Sequence, residues 1–134
     1  FDERALEGFS KWMSKQSKEE VEHSNEFYNY VLKRNGKVEF FALDKPRMDF
    51  KSVKEVFEAT LAHEEAVTAA IEKIHKLARE LGDYGAEVFL NKFAEEQEEE
   101  EEQVQKIIDK IVSLDIDNNS ATLYLLDKEM GARE

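Results

Sequence analysis

At 134 residues the chain has the size of one domain, and with 37% charged and 41% apolar residues it reads as a helix-rich globular protein. A net charge of −12 argues against nucleic acid and anionic membranes as partners, because phosphates attract a basic footprint. It suits a cationic partner. With no cysteine, disulfides and thiolate metal sites are excluded.

One proline and five glycines leave few breaks, so long helices are expected. The first spans about Arg4 to Arg34. One face carries Leu6, Phe9, Trp12, Met13, Gln16, Glu20, His23, Phe27, Tyr30 and Val31. "RNGK" stops it, with Gly36 suited to the left-handed position. The segment 35–51 is then extended, and Phe40, Phe41 and Leu43 predict that it is packed. A connection of this length between helices crosses a bundle from end to end.

Ser52 and Glu55 form a capping box for a second helix, to about Leu81. Its face reads Val53, Phe57, Thr60, Glu64, Val67, Ile71, Ile74, Ala78, Leu81. Gly82 breaks it and Asp83 caps a third helix, to about Leu114. That face reads Ala86, Leu90, Phe93, Gln97, Glu100, Val104, Ile107, Ile111, Leu114. The turn at 81–83 is short, so the second and third helices are antiparallel neighbours. "DIDNNS" is a loop, and a short last helix covers about Ala121 to Met130. No apolar run reaches the length of a membrane span and no signal-peptide pattern opens the chain, so the expected compartment is the cytoplasm.

Each long helix interrupts its apolar face at matching depth. The interruptions are Glu20 and His23, then Glu64, then Gln97 and Glu100. Three carboxylates in one core layer cannot stay ionised and unpaired, since burying a lone carboxylate costs several kcal/mol or forces protonation. No lysine or arginine stands on those faces at that level. A bound multivalent cation resolves the conflict. Oxygen donors with one imidazole suit iron, manganese or zinc. Glu20 and His23 lie one turn apart and can share a metal, while Glu64 and Glu100 can bridge or hold a second, as in dinuclear carboxylate bundles. His63 and His75 read as ordinary satisfied core or boundary residues, and the run 95–103 mostly as a solvated helix face. The competing interpretation is a non-catalytic acidic scaffold in which the same residues are hydrogen-bonded core polars fixing helix register.

"KQSKEEVEH" (15–23), "AHEEAVT" (62–68) and "FAEEQEEEE" (93–101) resemble the metal-bearing segments of the non-haem ferritins of prokaryotic type. "GFSKWM", "RNGKVEF" and "LYLLDKEMGARE" resemble that family as well, and the order is kept over essentially the whole chain. The resemblance implies an all-α, ferritin-like four-helix bundle, one domain over 1–134, with a long crossover and a short C-terminal fifth helix. The family's first long helix would be largely absent, the chain starting at Phe1 where that helix would be ending.

By the same resemblance Glu20 would bridge two irons and His23 would complete the first iron's shell. Glu64 and Glu100 would bind the second, with Gln97 beside it. A third iron position would use Glu19, Glu96, Glu99 and again Glu100. The implied activity is iron storage with Fe(II) oxidation at a di-iron centre, in a shell of identical subunits, 24 in the family's pattern. Haem is not expected, since Gln97 and Glu100 stand where haem-binding and rubrerythrin-like relatives carry a second Glu-x-x-His, and Val21 where the haem methionine would be. A non-storing di-iron redox protein of the same fold is the nearer alternative.

Overall fold

The structure, a computed structural model, describes residues 1–132. Arg133 and Glu134, the end of the segment "LYLLDKEMGARE", lie outside the described residues. Those described form four α-helices and no strand: α1 (Glu7–Lys33), α2 (Val53–Glu80), α3 (Tyr84–Ser113) and α4 (Ser120–Gly131). A 3-10 turn, Asp2–Arg4, precedes α1, which therefore starts three residues later than the periodicity suggests. The all-α expectation holds. Two compact units are present, one made of Phe1–Met48 with α4, the other of Asp49–Asn119.

All three long helices stop by the same device. In each, the second residue past the helix has positive φ, namely Asn35 at 58°, Gly82 at 67° and Asp115 at 47°. The next residue returns its N–H to a carbonyl five residues back: Gly36 to Val31 at 2.8 Å, Asp83 to Ala78 at 2.8 Å, Ile116 to Ile111 at 3.1 Å. This Schellman closure satisfies carbonyls that the helix leaves open. The left-handed residue after α1 is thus Asn35, not Gly36 as expected. Gly36 is needed for another reason, since a Cβ there would lie 2.7 Å from Val31 Cγ1.

In the unit Asp49–Asn119, α2 and α3 run antiparallel. Ser52 Oγ accepts from Glu55 N–H at 3.0 Å, while the Glu55 carboxylate accepts from Lys51 N–H at 2.6 Å, one residue before the partner a capping box uses. Asp117, just beyond α3, accepts from Val53 N–H at 2.9 Å and Lys54 N–H at 3.3 Å. The end of α3 thereby caps the start of α2 and suits its positive dipole end. Asp83 caps α3 through Ala86 N–H at 3.1 Å, as expected. Arg79 reaches Glu87 at 3.2 Å and His75 meets Asn91 at 2.9 Å, at the opposite end of the pair. The seam is filled by Phe57, Ile71, Leu90, Phe93, Val104 and Ile111, all buried. On α3 the buried position is Ile108, with Ile107 half-buried, because the 3.6-residue repeat drifts around the helix. Ile74 and Leu81, expected inward, are exposed.

In the other unit α4 packs on the start of α1. Leu6, the N-cap of α1, offers no side-chain acceptor. Asp127 supplies it from α4, accepting from Phe9 N–H at 3.0 Å. Lys11 returns the favour by donating to Gly131 O at 2.6 Å, covering the C-terminal end of α4. The helices touch backbone to backbone, for a Cβ on Gly8 would lie 1.6 Å from Asp127 O. Phe9, Leu126 and Met130 are buried, and Phe1 stacks on Phe9 at 5.2 Å.

The crossover between α1 and α2 has no regular secondary structure over 36–50, and it is not packed as the sequence suggests. Phe40 is 84% exposed, Phe41 82% and Leu43 96%. Phe40 stacks on Tyr28 at 6.2 Å, which anchors one edge of the segment.

Gly8→Ala is expected to force α4 off α1, since backbone atoms stand in the way. The cost should be roughly 1–3 kcal/mol, read as a lower denaturant midpoint with α4 becoming the first site of limited proteolysis.

Candidate metal centre

Glu64 sits at the middle of α2, between the buried Phe57 and Ile71, on the face turned to α3. Helical spacing from apolar neighbours carries it inward, and it is 2% exposed. Gln97 lies opposite on α3, between Phe93 and Val104, and is also 2% exposed. Its Nε2 lies 3.3 Å from Glu64 Oε2, 3.2 Å from Glu64 O and 3.3 Å from Thr68 Oγ1. The Thr68 hydroxyl in turn donates to Glu101 Oε1 at 2.5 Å. A buried carboxylate is therefore met by an amide, a neutral donor that offsets only part of its desolvation. The exposed His63 stands at the outer edge, with Nδ1 4.0 Å from Glu64 Oε1.

Glu100 is half-buried, one turn beyond Gln97 on α3. Glu96 is half-buried too. Its Oε1 lies 4.0 Å from Lys92 Nζ, and its Oε2 is a buried atom without a hydrogen bond among the described residues. Glu99 is exposed and lines a shallow acidic depression with Glu95, Glu98 and Glu102. That is the solvated face anticipated for most of the run 95–103.

On α1, Glu20 and His23 are half-buried, with Oε2 and Nδ1 3.9 Å apart. One helical turn separates them, so both side chains can reach one cation. Glu19 is half-buried and pairs with Lys15 at 3.8 Å. The sequence reading placed Glu20, His23, Glu64, Gln97 and Glu100 alike on inward faces. Only Glu64 and Gln97 are fully buried. Among the described residues no three His, Asp or Glu side chains are drawn together closely enough to hold a metal ion.

Helical periodicity assigns Thr68 and Glu101 no role in the site. The signal was present but faint. Thr68 is four residues after Glu64, and Glu101 four after Gln97, so each shares a helix face with its neighbour.

The ferritin-like domain family matches residues 1–114. The chain belongs to that family. It is 38% identical over 132 residues to the bacterial non-heme ferritin of Staphylococcus aureus, spanning 98% of this chain and 78% of that protein. The bacterial non-heme ferritin of Staphylococcus haemolyticus is 37% identical over the same shares. Among solved structures, an open pore ferritin from the hyperthermophilic archaeon Archaeoglobus fulgidus superimposes with a TM-score of 0.95 at 33% identity, covering 100% of this chain and 82% of that one. The ferritin fold is thereby established for the chain. No helix among the described residues is long and apolar enough to cross a membrane.

The donor set fits a hard cation. Carboxylates, one imidazole and an amide oxygen are the ligands that iron, manganese and zinc accept where thiolate is absent. Glu64→Gln removes the buried charge while an amide oxygen keeps the shape. Without metal the variant should melt at the same temperature as the parent or above it. With Zn(II) added, the parent should gain stability by ligand linkage and the variant should gain less, which thermal unfolding with and without the ion measures.

Proposed function

We propose that this single ferritin-like domain, residues 1–134, stores iron and oxidises Fe(II) on the way to storing it. The observation that carries the reading is the buried Glu64–Gln97 pair in the α2–α3 seam, at mid-helix positions of a chain from the ferritin family. A carboxylate held away from water beside a weak neutral donor is set up to take a cation instead. Family membership supports iron as that cation.

In this proposal iron is the substrate. Glu20 and His23 on α1, with Glu64, Gln97 and Glu100 on α2 and α3, supply the donors of a di-iron centre. Glu20 bridges, His23 completes the first position, and Glu64 and Glu100 serve the second. Glu19, Glu96 and Glu99, with Glu100, belong to a third position. Each Fe(II) gives one electron to an oxidant of the dioxygen or peroxide class and becomes Fe(III). Hard anionic carboxylates favour the higher charge, which draws the oxidation forward. The net charge of −12 draws Fe(II) toward the protein and suits nucleation of ferric mineral. Haem has no part in this scheme.

The proposal includes assembly with identical subunits into a shell, of 24 chains in the family's pattern, in the cytoplasm. Its support in the subunit is the crossover, where Phe40, Phe41, Leu43 and Met48 are exposed together. Several large apolar side chains exposed within nine residues suit a protein contact.

Aerobic addition of Fe(II), followed by ferric absorbance, tests the activity. The parent should oxidise many irons per chain faster than buffer, and Glu64→Ala should lose at least about tenfold in initial rate. A burst that stops at about two irons per chain would instead indicate a redox protein of the same fold that stores nothing. Phe41→Asp with Leu43→Asp should shift the assembled particle to smaller species in size-exclusion chromatography with light scattering, while α-helical circular dichroism is retained.

A further inference from the structure

The hydrogen bonds around Gln97 form a directed chain that begins at Glu101. Ionised, a carboxylate only accepts. The Thr68 hydroxyl has a single proton and commits it to Glu101 Oε1. Its oxygen is then left able only to accept on the side facing Gln97, whose Nε2 lies 3.3 Å away. The same Nε2 faces Glu64 O and Glu64 Oε2, two further acceptors. The amide nitrogen is thus turned toward α2 by three oxygens, and an inverted amide would set oxygen against oxygen. No hydrogen bond to Gln97 Oε1 exists among the described residues, so that oxygen is available to a ligand.

Of the three acceptors, the Glu64 carboxylate is the one that a cation would recruit. Once it turns to metal, the backbone carbonyl and Thr68 are what still hold the amide nitrogen. A hydroxyl released from Glu101 could rotate and donate to an inverted Gln97 just as well. We infer that Thr68 and Glu101 are positioning residues: the Glu101–Thr68 hydrogen bond fixes the direction of the Gln97 amide and so presents Gln97 Oε1 to the metal or its bound water. This rests on the reading of Glu64 and Gln97 as part of the iron site and assigns a role to two residues outside the ligand set. Glu101 acts here through its charge and hydrogen bond, not as a ligand.

Anaerobic Co(II) titration of the full chain, read by the visible bands of the bound ion, tests it alongside Fe(II) oxidation. Thr68→Val keeps the side-chain shape and removes the hydroxyl, Thr68→Ser restores it, and Glu101→Gln lets position 101 donate as well as accept. The expected result is Co(II) affinity about tenfold weaker in Thr68→Val, within the range found when a residue that orients a ligand is lost, recovery in Thr68→Ser, and an intermediate loss in Glu101→Gln. The metal-free melting temperature of Thr68→Ser and Glu101→Gln should stay near the parent's. Equal affinity and equal oxidation rate in parent, Thr68→Val and Glu101→Gln would overturn the inference and leave the iron site standing. No Co(II) binding by the parent would overturn both. Should Thr68→Val fail to fold, Glu101→Gln decides alone, parental Co(II) affinity in it sinking the inference.

Discussion

Everything near the centre of the α2–α3 seam depends on one buried carboxylate. Glu64 occupies a position where its neighbours along the helix face, Phe57 and Ile71, are core residues. Water is largely excluded there, and the amide of Gln97, a neutral donor, sits at 3.3 Å. Such an arrangement is a poor way to gain stability, since a hydrophobic residue of similar volume would cost less to bury. On the proposed function its value lies in what it withholds from water and leaves ready for a cation. Gln97 spans Glu64 and Thr68, and Glu101 in turn takes the Thr68 proton. Four residues on two helices are thereby joined in one hydrogen-bonded chain.

The helices that carry this seam are held in register mainly at their ends. Asp117 closes the N-terminus of α2 from beyond the end of α3, and Gly82 with Asp83 turns α2 directly into α3. With both ends tied, the middle of the seam can hold polar groups without sliding by a turn. A slip of one turn would set Glu64 level with Phe93 in one direction and with Glu100 and Glu101 in the other, away from the amide of Gln97. In the other unit the same logic is reciprocal. Asp127 caps α1 and Lys11 caps α4, over a contact that only glycine at position 8 permits. Rigid scaffolding at helix termini with carboxylates between them would suit the ion uptake and release that the proposed function requires.

The acidic character of the protein divides into two physical populations. Glu95, Glu98, Glu99 and Glu102 face solvent and contribute a long-range attraction for cations that salt screens. Glu64 contributes little to that outer field, but its interactions are amplified by the low dielectric around it. The glutamate-rich segment on α3 runs from the solvated face to the seam, where its buried residue is Gln97, because a helix turns from solvent to core within two residues. Glu96 and Glu100 stand between them, half-buried on either side of Gln97.

The amino-acid sequence by itself determined the helical class, the position of the α2–α3 turn and the polar interruption of each apolar face. These follow from the 3.6-residue repeat, from Gly82 and Asp83, and from the single chemical type of the interruptions, all of which are local. The family resemblance was legible in contiguous motifs for the same reason. Tertiary structure alone decided which interruptions are sealed from water. Glu64 and Gln97 are, while Glu20, His23 and Glu100 are half-exposed, because burial depends on what the opposing helix presents. It also decided that Asn35 takes the left-handed turn, that Ile108 rather than Ile107 enters the core, and that the apolar crossover lies open. Thr68 and Glu101 gained their meaning only there, since a hydrogen bond between residues 33 apart has no trace in a helical period. Periodicity fixes the face a side chain occupies, whereas the neighbour across the seam fixes what that side chain touches.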